Sequence, residues 1–409
     1  MAPNHFHQRN AIWIIFLAAL VLRLTYIIFV PQLSGEELGD SWVYDDLALS
    51  LRSGEGYLED VRWPPLYPTF LCGVYLIFGH GFFAVRIIQA VISSVSCVFI
   101  YLVARRCLTA KVALSAGLFS VFYPAFISYA GIPLTETLGT FLLLSFIYCL
   151  LSSLSSKKTL WLLAAGLSGG LLILCRSEML LLGVFIILGM YILRQFNRDS
   201  FVKVIAIVLL SFLVCVPWTV RNYLLFDKFI PITARFNSTL WVGSYPEEWT
   251  EWHYDREPLK SLNCKTVIEL DAKLGKLAFK NITTHPFIYV KLCVKKFFRF
   301  WIGGHSNTFK GLHQALSNTF GNLWVFLPKF LLLLLNLFLI LSGFYGIFLS
   351  IKRHLNLCLI LTLVIAYKAI LHTILFSAPR YQLLVMPYMI ILAVYAWDEL
   401  FKHNYEKLT

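Results

Sequence analysis

The sequence predicts an all-α polytopic membrane protein, and three observations predict it. Of its 409 residues, 58% are hydrophobic and 14% charged, against roughly 25% charged in soluble globular chains. The mean hydropathy is +0.72, which leaves too little polar surface to cover a water-soluble fold. Several apolar runs approach or reach the roughly 20 residues that a helix needs to cross a bilayer.

About ten membrane helices are expected. The first covers Ala11 to Val30 and has no small-residue cleavage site after it, so it reads as a retained helix rather than a signal peptide. Residues 31–81 form a first loop, in which "LYPTFLCGVYLIFG" is apolar but short and reads as interfacial or re-entrant. Helices are then expected over about Phe82–Ala104, Val112–Ala130, from Glu136 to before "SSKK", Leu160–Leu174, Met179–Leu193 and Val204–Val220. A long segment, 221–321, follows. Its later part mixes basic and aromatic residues in the manner of helices lying on a membrane surface. The last three helices are expected at about Leu323–Leu349, Leu357–Phe376 and Leu383–Phe401. No internal repeat or separate soluble domain is visible, so residues 1–409 read as a single membrane domain.

The formal net charge of +13 does not point to nucleic acid. Arg9, Arg105, Arg106, Lys111, Lys157, Lys158, Arg194, Arg198, Lys203, Lys352, Arg353 and Lys402 fall in short connections and tails that alternate with loops carrying acids or few charges. That is the positive-inside bias, which reports orientation. It places the N-terminus in the cytoplasm and the first loop outside; the expected location is a bacterial inner (plasma) membrane. The nine cysteines show no zinc-ligand spacing and read as small buried hydrophobes. Glu247, Glu248, Glu251 and His253 could ligate a metal but lack a recognised spacing, so no metal site is predicted.

With this topology the unusual polar residues gather on the outer side. Eight of the 22 acidic residues lie between Glu36 and Asp60. Asp40 follows the first helix, Glu136 opens a later one, Arg176 and Glu178 join two helices, Arg221 ends another, and Arg380 precedes the last. Lys368 and His372 lie four apart on one helix face. Ionisable groups at membrane depth are costly and point to function. Each has a plain alternative. Asp40 would cap a helix over "SWVYDDLALSLRS" that carries Tyr44 inward and stops at Gly54. Glu136 would complement a helix dipole, Arg176 and Glu178 would pair locally, and Arg380 would anchor at the interface. Lys368 would snorkel, and Arg23 would pack or snorkel. Asp45 and Asp46 read as solvated charges. In "PPLYP", Pro64, Pro65 and Pro68 stiffen the entry to the interfacial segment that carries Tyr67.

"GDSWVYDDLALSLRSGEGY" followed by "PPLYP" resembles the first extracytoplasmic loop of GT-C glycosyltransferases that use polyprenyl-phosphate sugars. These are the family 39-like enzymes related to protein O-mannosyltransferases and the lipid A aminoarabinose transferase. The likeness continues in order through "YPAFISYAGIPLTETLGTFLLL", "GGLLILCRSEMLLL", "VPWTVRNYLLFDKFIPIT" and "HTILFSAPRYQLLVMP". The chain departs from the pattern at Ser177, where relatives commonly have proline, and at Gln382, where a basic residue is common.

The resemblance implies a GT-C-type bundle with interfacial helices and a catalytic carboxylate at Asp40. It implies a second acidic position at Glu136 and a cationic cavity for the lipid phosphate, with Arg380 in it. Lys368, Arg176 and Arg221 are the further phosphate candidates, and Tyr44, Pro64, Pro65, Tyr67, Glu178 and His372 the substrate-loop candidates. The expected partners are a polyprenyl-phosphate sugar donor, a lipid, glycan or protein acceptor, and membrane lipids. No cofactor is required, and the resemblance leaves a divalent metal open. The expected reaction is an inverting displacement at the anomeric carbon, with a carboxylate taking the acceptor proton. A transporter or a non-catalytic lipid-binding subunit would also carry intramembrane charge. A secondary transporter often shows two similar halves, which this sequence lacks.

Overall fold

The computed structural model describes residues 5–30, 39–57, 61–194, 196–245, 262–302 and 322–408, and no strand occurs among them. The helices are α1 (His5–Phe29), α2 (Ser41–Ser53), α3 (Leu66–Phe78), α4 (Phe82–Cys107), α5 (Ala110–Phe122), α6 (Pro124–Ala130), α7 (Thr135–Ser155) and α8 (Thr159–Cys175). After them come α9 (Leu182–Leu193), α10 (Arg198–Phe226), α11 (Phe236–Ser244), α12 (Val267–Thr284), α13 (Pro286–Ile302), α14 (Asn322–Lys352), α15 (Asn356–Ile374) and α16 (Met386–Leu408). Short 3₁₀ turns occupy Ser177–Met179 and Pro379–Leu384. All ten expected segments are therefore helical. Six described helices are long and apolar enough to cross a membrane, and a seventh span is made if α5 and α6 count as one. Two of the ten expected helices are the shorter apolar pieces Thr159–Cys175 and Ser177–Leu193.

The bundle is built on α4, which packs against α1, α5 and α7, while α7 and α10 flank α8, and α14 lies along α16. Residues Leu384 to Ala393 of the last segment include an almost unbroken run with no exposed surface, so α16 is core rather than lipid-facing. In contrast, α10 exposes Leu209, Leu213 and Leu224, as a helix on the lipid side must. Where α8 meets α10 the backbones approach closely. A Cβ on Gly170 would lie 2.8 Å from the Ser211 carbonyl oxygen and collide with Val214, the small-residue seam that membrane helices use to pack.

The α5–α6 pair bends by 52°. Pro124 has no N–H and opens the second helix from an extended Tyr123, which frees carbonyls of the preceding turn. Side chains from neighbouring helices take them up. Cys97 Sγ donates to the Ser120 oxygen at 3.5 Å and Arg23 Nη1 to the Val121 oxygen at 3.5 Å. Arg23 also donates to Ser93 Oγ at 2.7 Å and to Cys97 Sγ at 3.1 Å, with no exposed surface. Arg23 therefore does not snorkel; it satisfies a broken helix from within, where no water is at hand.

At one end of the bundle, α2 and α3 pack together and α11 and α12 form a small second core with Trp241, Val242, Leu274 and Ala278. Gly54 stops α2 in the left-handed conformation, at φ 88°, as its sequence position predicts. Asp271 fixes α11 to α12 by accepting from the Ser238 N–H at 2.7 Å and from Asn237 at 3.0 Å. Lys296 of α13 then ties this layer to the end of α15, donating to the carbonyls of Gly243, Ile374 and Leu375 at 2.7–2.9 Å. Gly243 sits against the Leu375 carbonyl so closely that a Cβ there would overlap backbone. Gly243→Ala is expected to lower stability by about 1–3 kcal/mol through this overpacking. Thermal unfolding in detergent, read as a fall in Tm with α11 protease-sensitive first, checks it.

Candidate functional site

The end of the bundle that carries α2 also carries the charged residues singled out in the sequence. Most are placed by a break in regular structure. Asp40 precedes α2, Glu136 lies in the first turn of α7, and Arg176 and Glu178 lie where α8 gives way to α9. Arg380 and Tyr381 lie in the 3₁₀ turn between α15 and α16. Lys368 comes from the interior of α15 and His372 from its last turn, and Arg221 does not end its helix but lies within α10, which runs on to Phe226.

These breaks line up opposite charges in one row. Arg380 Nη2 lies 2.5 Å from Asp40 Oδ2, and its Nε lies 3.7 Å from Glu136 Oε1. Glu136 Oε1 is 3.5 Å from Arg176 Nη1, and Arg176 Nη2 is 3.0 Å from Glu178 Oε1. Glu178 Oε1 in turn accepts from Lys368 Nζ at 2.8 Å. The order is Asp40, Arg380, Glu136, Arg176, Glu178, Lys368: three carboxylates alternating with three cations. The ring of Tyr381 lies 5.5–5.8 Å from the charged groups of Arg380, Arg176 and Lys368, a distance at which a π face attracts a cation.

Solvent access is uneven along the row. The side chains of Asp40, Arg380 and Glu178 are 30%, 25% and 25% exposed, those of Glu136 and Arg176 3% and 4%, and that of Lys368 0%. Asp40–Arg380 is thus the one ion pair of the row with both partners open to solvent. Buried charges are tolerated when each is paired and hydrogen-bonded, and Thr135 Oγ1, which accepts from Arg176 at 3.1 Å, contributes to that.

Several plain readings of the sequence are corrected here. Asp40 occupies the cap position of α2 but makes no side-chain capping bond; its carboxylate turns to Arg380 instead. Lys368 does not snorkel, being fully buried on Glu178. Asp45 is not merely solvated, since it accepts from the Tyr75 hydroxyl at 2.6 Å and lies 3.1 Å from His80 Nε2. Arg176 and Glu178 are paired, as expected, but within a longer array.

The aromatic residues of the first loop form a wall beside the row. Tyr44 packs edge-on to Trp63 and Tyr67 at 5.2 and 5.1 Å. The Tyr67 hydroxyl donates to Gln89 Oε1 at 2.7 Å, and Gln89 donates to the Ala130 and Ile132 carbonyls just before Glu136. Pro64 and Pro65 lie between Trp63 and α3, where the Pro65 carbonyl accepts from the Tyr57 hydroxyl and from Thr69. Arg221 stands over Trp218, 4.6 Å from its ring, and 6.0 Å from the ring of Tyr57, and donates to Asn222 Oδ1 at 3.0 Å. Gln382, the second departure from the family pattern, is buried in a polar knot with Trp301 and Asn336. Ser177, the first, accepts from the Thr233 hydroxyl at 3.0 Å.

Two residues went unremarked in the sequence. Arg235 stacks over Trp63 at 4.2 Å and acts electrostatically on Asp40; it lies in the irregular "IPITAR" stretch, with no periodicity to mark it. Tyr381 adjoins Arg380, but only the 3₁₀ turn brings its ring beneath three cations.

Burial raises the pKa of the Asp40 carboxyl. Arg380, by charge and hydrogen bond, with Arg235 and Arg176, together lower it by more, and the net shift is below the ordinary carboxylate value. Asp40 is accordingly ionised at neutral pH and loses its charge only as pH falls through that lowered value. Among the described residues no three His, Cys, Asp or Glu side chains converge as metal donors. Asp40, Glu136 and Glu178 already face guanidinium or ammonium groups, so a divalent ion would have to displace a cation, and the described row does not fit one. Glu247, Glu248, Glu251 and His253 lie outside the described residues.

Residues 62–220 match the family model of dolichyl-phosphate-mannose-protein mannosyltransferase. Over its whole length the chain superposes on the archaeal oligosaccharyltransferase AglB from Archaeoglobus fulgidus, solved with an inhibitory peptide and a dolichol-phosphate. That superposition has a TM-score of 0.59 and 14% identity, and it covers 52% of AglB. The fold is GT-C. A second structure of the Archaeoglobus oligosaccharyltransferase, with Zn and sulfate, aligns at TM-score 0.57 and 15% identity over 95% of this chain and 49% of that one. ArnT from Cupriavidus metallidurans bound to undecaprenyl phosphate aligns at TM-score 0.46 and 13% identity over 94% and 77% of the two chains. No curated protein sequence matches the chain. The GT-C chain thus spans about half the length of the archaeal enzyme, and the region matched by the family model contains Glu136, Arg176 and Glu178 but not Asp40 or Arg380.

Proposed function

We propose that the protein transfers a sugar from a polyprenyl-phosphate carrier to an acceptor hydroxyl on the extracytoplasmic face of a bacterial inner membrane. The observation that carries this reading is the Asp40–Arg380 pair at the open end of the charge row. It sets a proton acceptor beside a phosphate anchor in a fold shared with a dolichol-phosphate-binding enzyme. The orientation is supported by the opposite end of the bundle, where Lys111, Lys402 and Arg353 surround Asp398 and Glu399.

In this reading Arg380 binds the donor phosphate, with Arg176, Lys368 and Arg235 adding positive potential. Arg221 would act further out, from the aromatic layer. The acceptor oxygen attacks the anomeric carbon from the face opposite the phosphate, and the bond from that carbon to the phosphate oxygen breaks. Its electron pair leaves on the phosphate, the acceptor proton passes to Asp40, and the anomeric centre inverts. Charge growing on the phosphate is stabilised by preorganised cations in a site largely closed to water. Glu136, held between two guanidinium groups, orients them rather than exchanging protons. Phosphate and Asp40 compete for Arg380, so donor binding loosens the interaction that suppresses Asp40's basicity.

That competition fixes a sign. Removing Arg380 takes away the nearest cation, burial gains weight, and the Asp40 pKa rises. The acid limb of the residual kcat/KM profile of Arg380→Gln is therefore expected at higher pH than that of the wild type; an unmoved limb would separate Asp40 from the titration. The function itself is tested by mass spectrometry of cell-envelope glycans and lipids with and without the protein. One glycan modification should vanish while its lipid-phosphate sugar accumulates. An unchanged envelope and lipid pool would refute the proposal.

A further inference from the structure

We infer that His372 presents a fixed hydrogen-bond acceptor, its Nε2, to a hydroxyl of the sugar on the lipid-linked donor. The inference rests on the transfer reading above and adds the atom that would read the sugar.

His372 lies one turn beyond Lys368 on α15 and is 5% exposed. Its ring is stacked with those of Phe300, at 5.6 Å and 16°, and Tyr381, at 4.5 Å and 19°. Its Nδ1 lies 3.0 Å from the Phe376 carbonyl oxygen. A carbonyl can only accept, so Nδ1 carries the proton. In the neutral ring Nε2 is then a bare lone pair. That atom is buried and has no hydrogen-bond partner among the described residues, a state that folded proteins rarely leave uncompensated.

The chemistry of the missing partner follows. An acceptor repels a phosphate or a carboxylate, and the nearest ammonium on the same helix, Lys368, is held by Glu178. What remains is an O–H or N–H donor on a neutral group. Tyr381 decides where that group belongs. The same ring that stacks on His372 lies 5.5–5.8 Å from the charged groups of Arg380, Arg176 and Lys368, so the imidazole stands one aromatic ring from the proposed phosphate anchors. On a polyprenyl-phosphate sugar, the hydroxyl-bearing part next to the phosphate is the sugar. A site built to bond a particular hydroxyl rejects an analogue that lacks it, because its own polar atom is then left unpaired.

The test compares two probes on full-length protein in nanodiscs, polyprenyl phosphate and polyprenyl-phosphate-mannose, with the glucose-linked lipid as a second sugar. His372→Phe keeps the aromatic stack and removes the acceptor; His372→Gln restores an acceptor near the Nε2 position. Wild type is expected to bind one sugar-linked lipid more tightly than bare polyprenyl phosphate. His372→Phe should lose about tenfold in that affinity, the weight of one hydrogen bond. Its binding of bare polyprenyl phosphate should not change, and His372→Gln should recover part of the loss. Equal losses for both probes would make His372 a packing residue and overturn the inference. No loss for either would assign Nε2 to an internal water and overturn it as well. A wild type that binds neither probe would remove the transfer reading itself, a result distinct from the other two.

Discussion

Asp40→Asn is expected to abolish sugar transfer while leaving a folded protein that still binds lipid phosphate. The substitution keeps the size of the side chain and its place before α2, which makes no side-chain cap that could be lost. It removes the proton acceptor, and a positioned general base contributes about 100- to 10,000-fold. It also removes the anion that occupies Arg380 at 2.5 Å. Binding of polyprenyl phosphate should therefore tighten even as turnover is lost. Transfer measured in proteoliposomes, beside binding of the bare lipid phosphate, reads both effects. A variant that retains full transfer would show that the proton leaves by another route.

Arg176→Leu is expected to have the largest effect on stability. Arg176 is the only residue in the row that bridges Glu136 and Glu178, and its aliphatic stem fills the space over Gly139, where a Cβ would lie 2.8 Å from Arg176 Cδ. Its removal leaves Glu136, 3% exposed, with only the 3.7 Å contact to Arg380 among the described ion pairs. Breaking one side of a buried pair costs about 3–5 kcal/mol, because the partner charge is left uncompensated. The folded yield and Tm in detergent should fall sharply. Adding Glu136→Gln, which removes the stranded charge, should recover part of the loss. A Tm equal to that of the wild type would mean that water reaches Glu136.

Much of this architecture was legible in the sequence. Apolar run lengths located all ten helical segments, and the turn residues Gly54 and Pro65 marked the ends of α2 and α3. The charges that later form the row were visible as exceptions within or beside apolar runs. Their pairing was not. Asp40 and Arg380 are 340 positions apart, and the geometry that joins them is made by 3₁₀ turns and helix breaks, which carry no periodic signal. Arg235 was missed for the same reason. Arg23 was visible, but its purpose depends on carbonyls released at Pro124 in a helix that only the fold brings alongside.

The uneven exposure along the charge row also bears on how the protein responds to ionic strength. Dissolved ions screen charges over about 8 Å at physiological strength, but only where solvent can carry them. Asp40, Arg380 and Glu178 lie within reach of those ions, whereas Glu136, Arg176 and Lys368, 3%, 4% and 0% exposed, are insulated. Added salt thus weakens the Asp40–Arg380 pair, open on both sides, more than the pairs that have a buried partner. The row holds one pair tuned by the medium and others that the fold shields on at least one side.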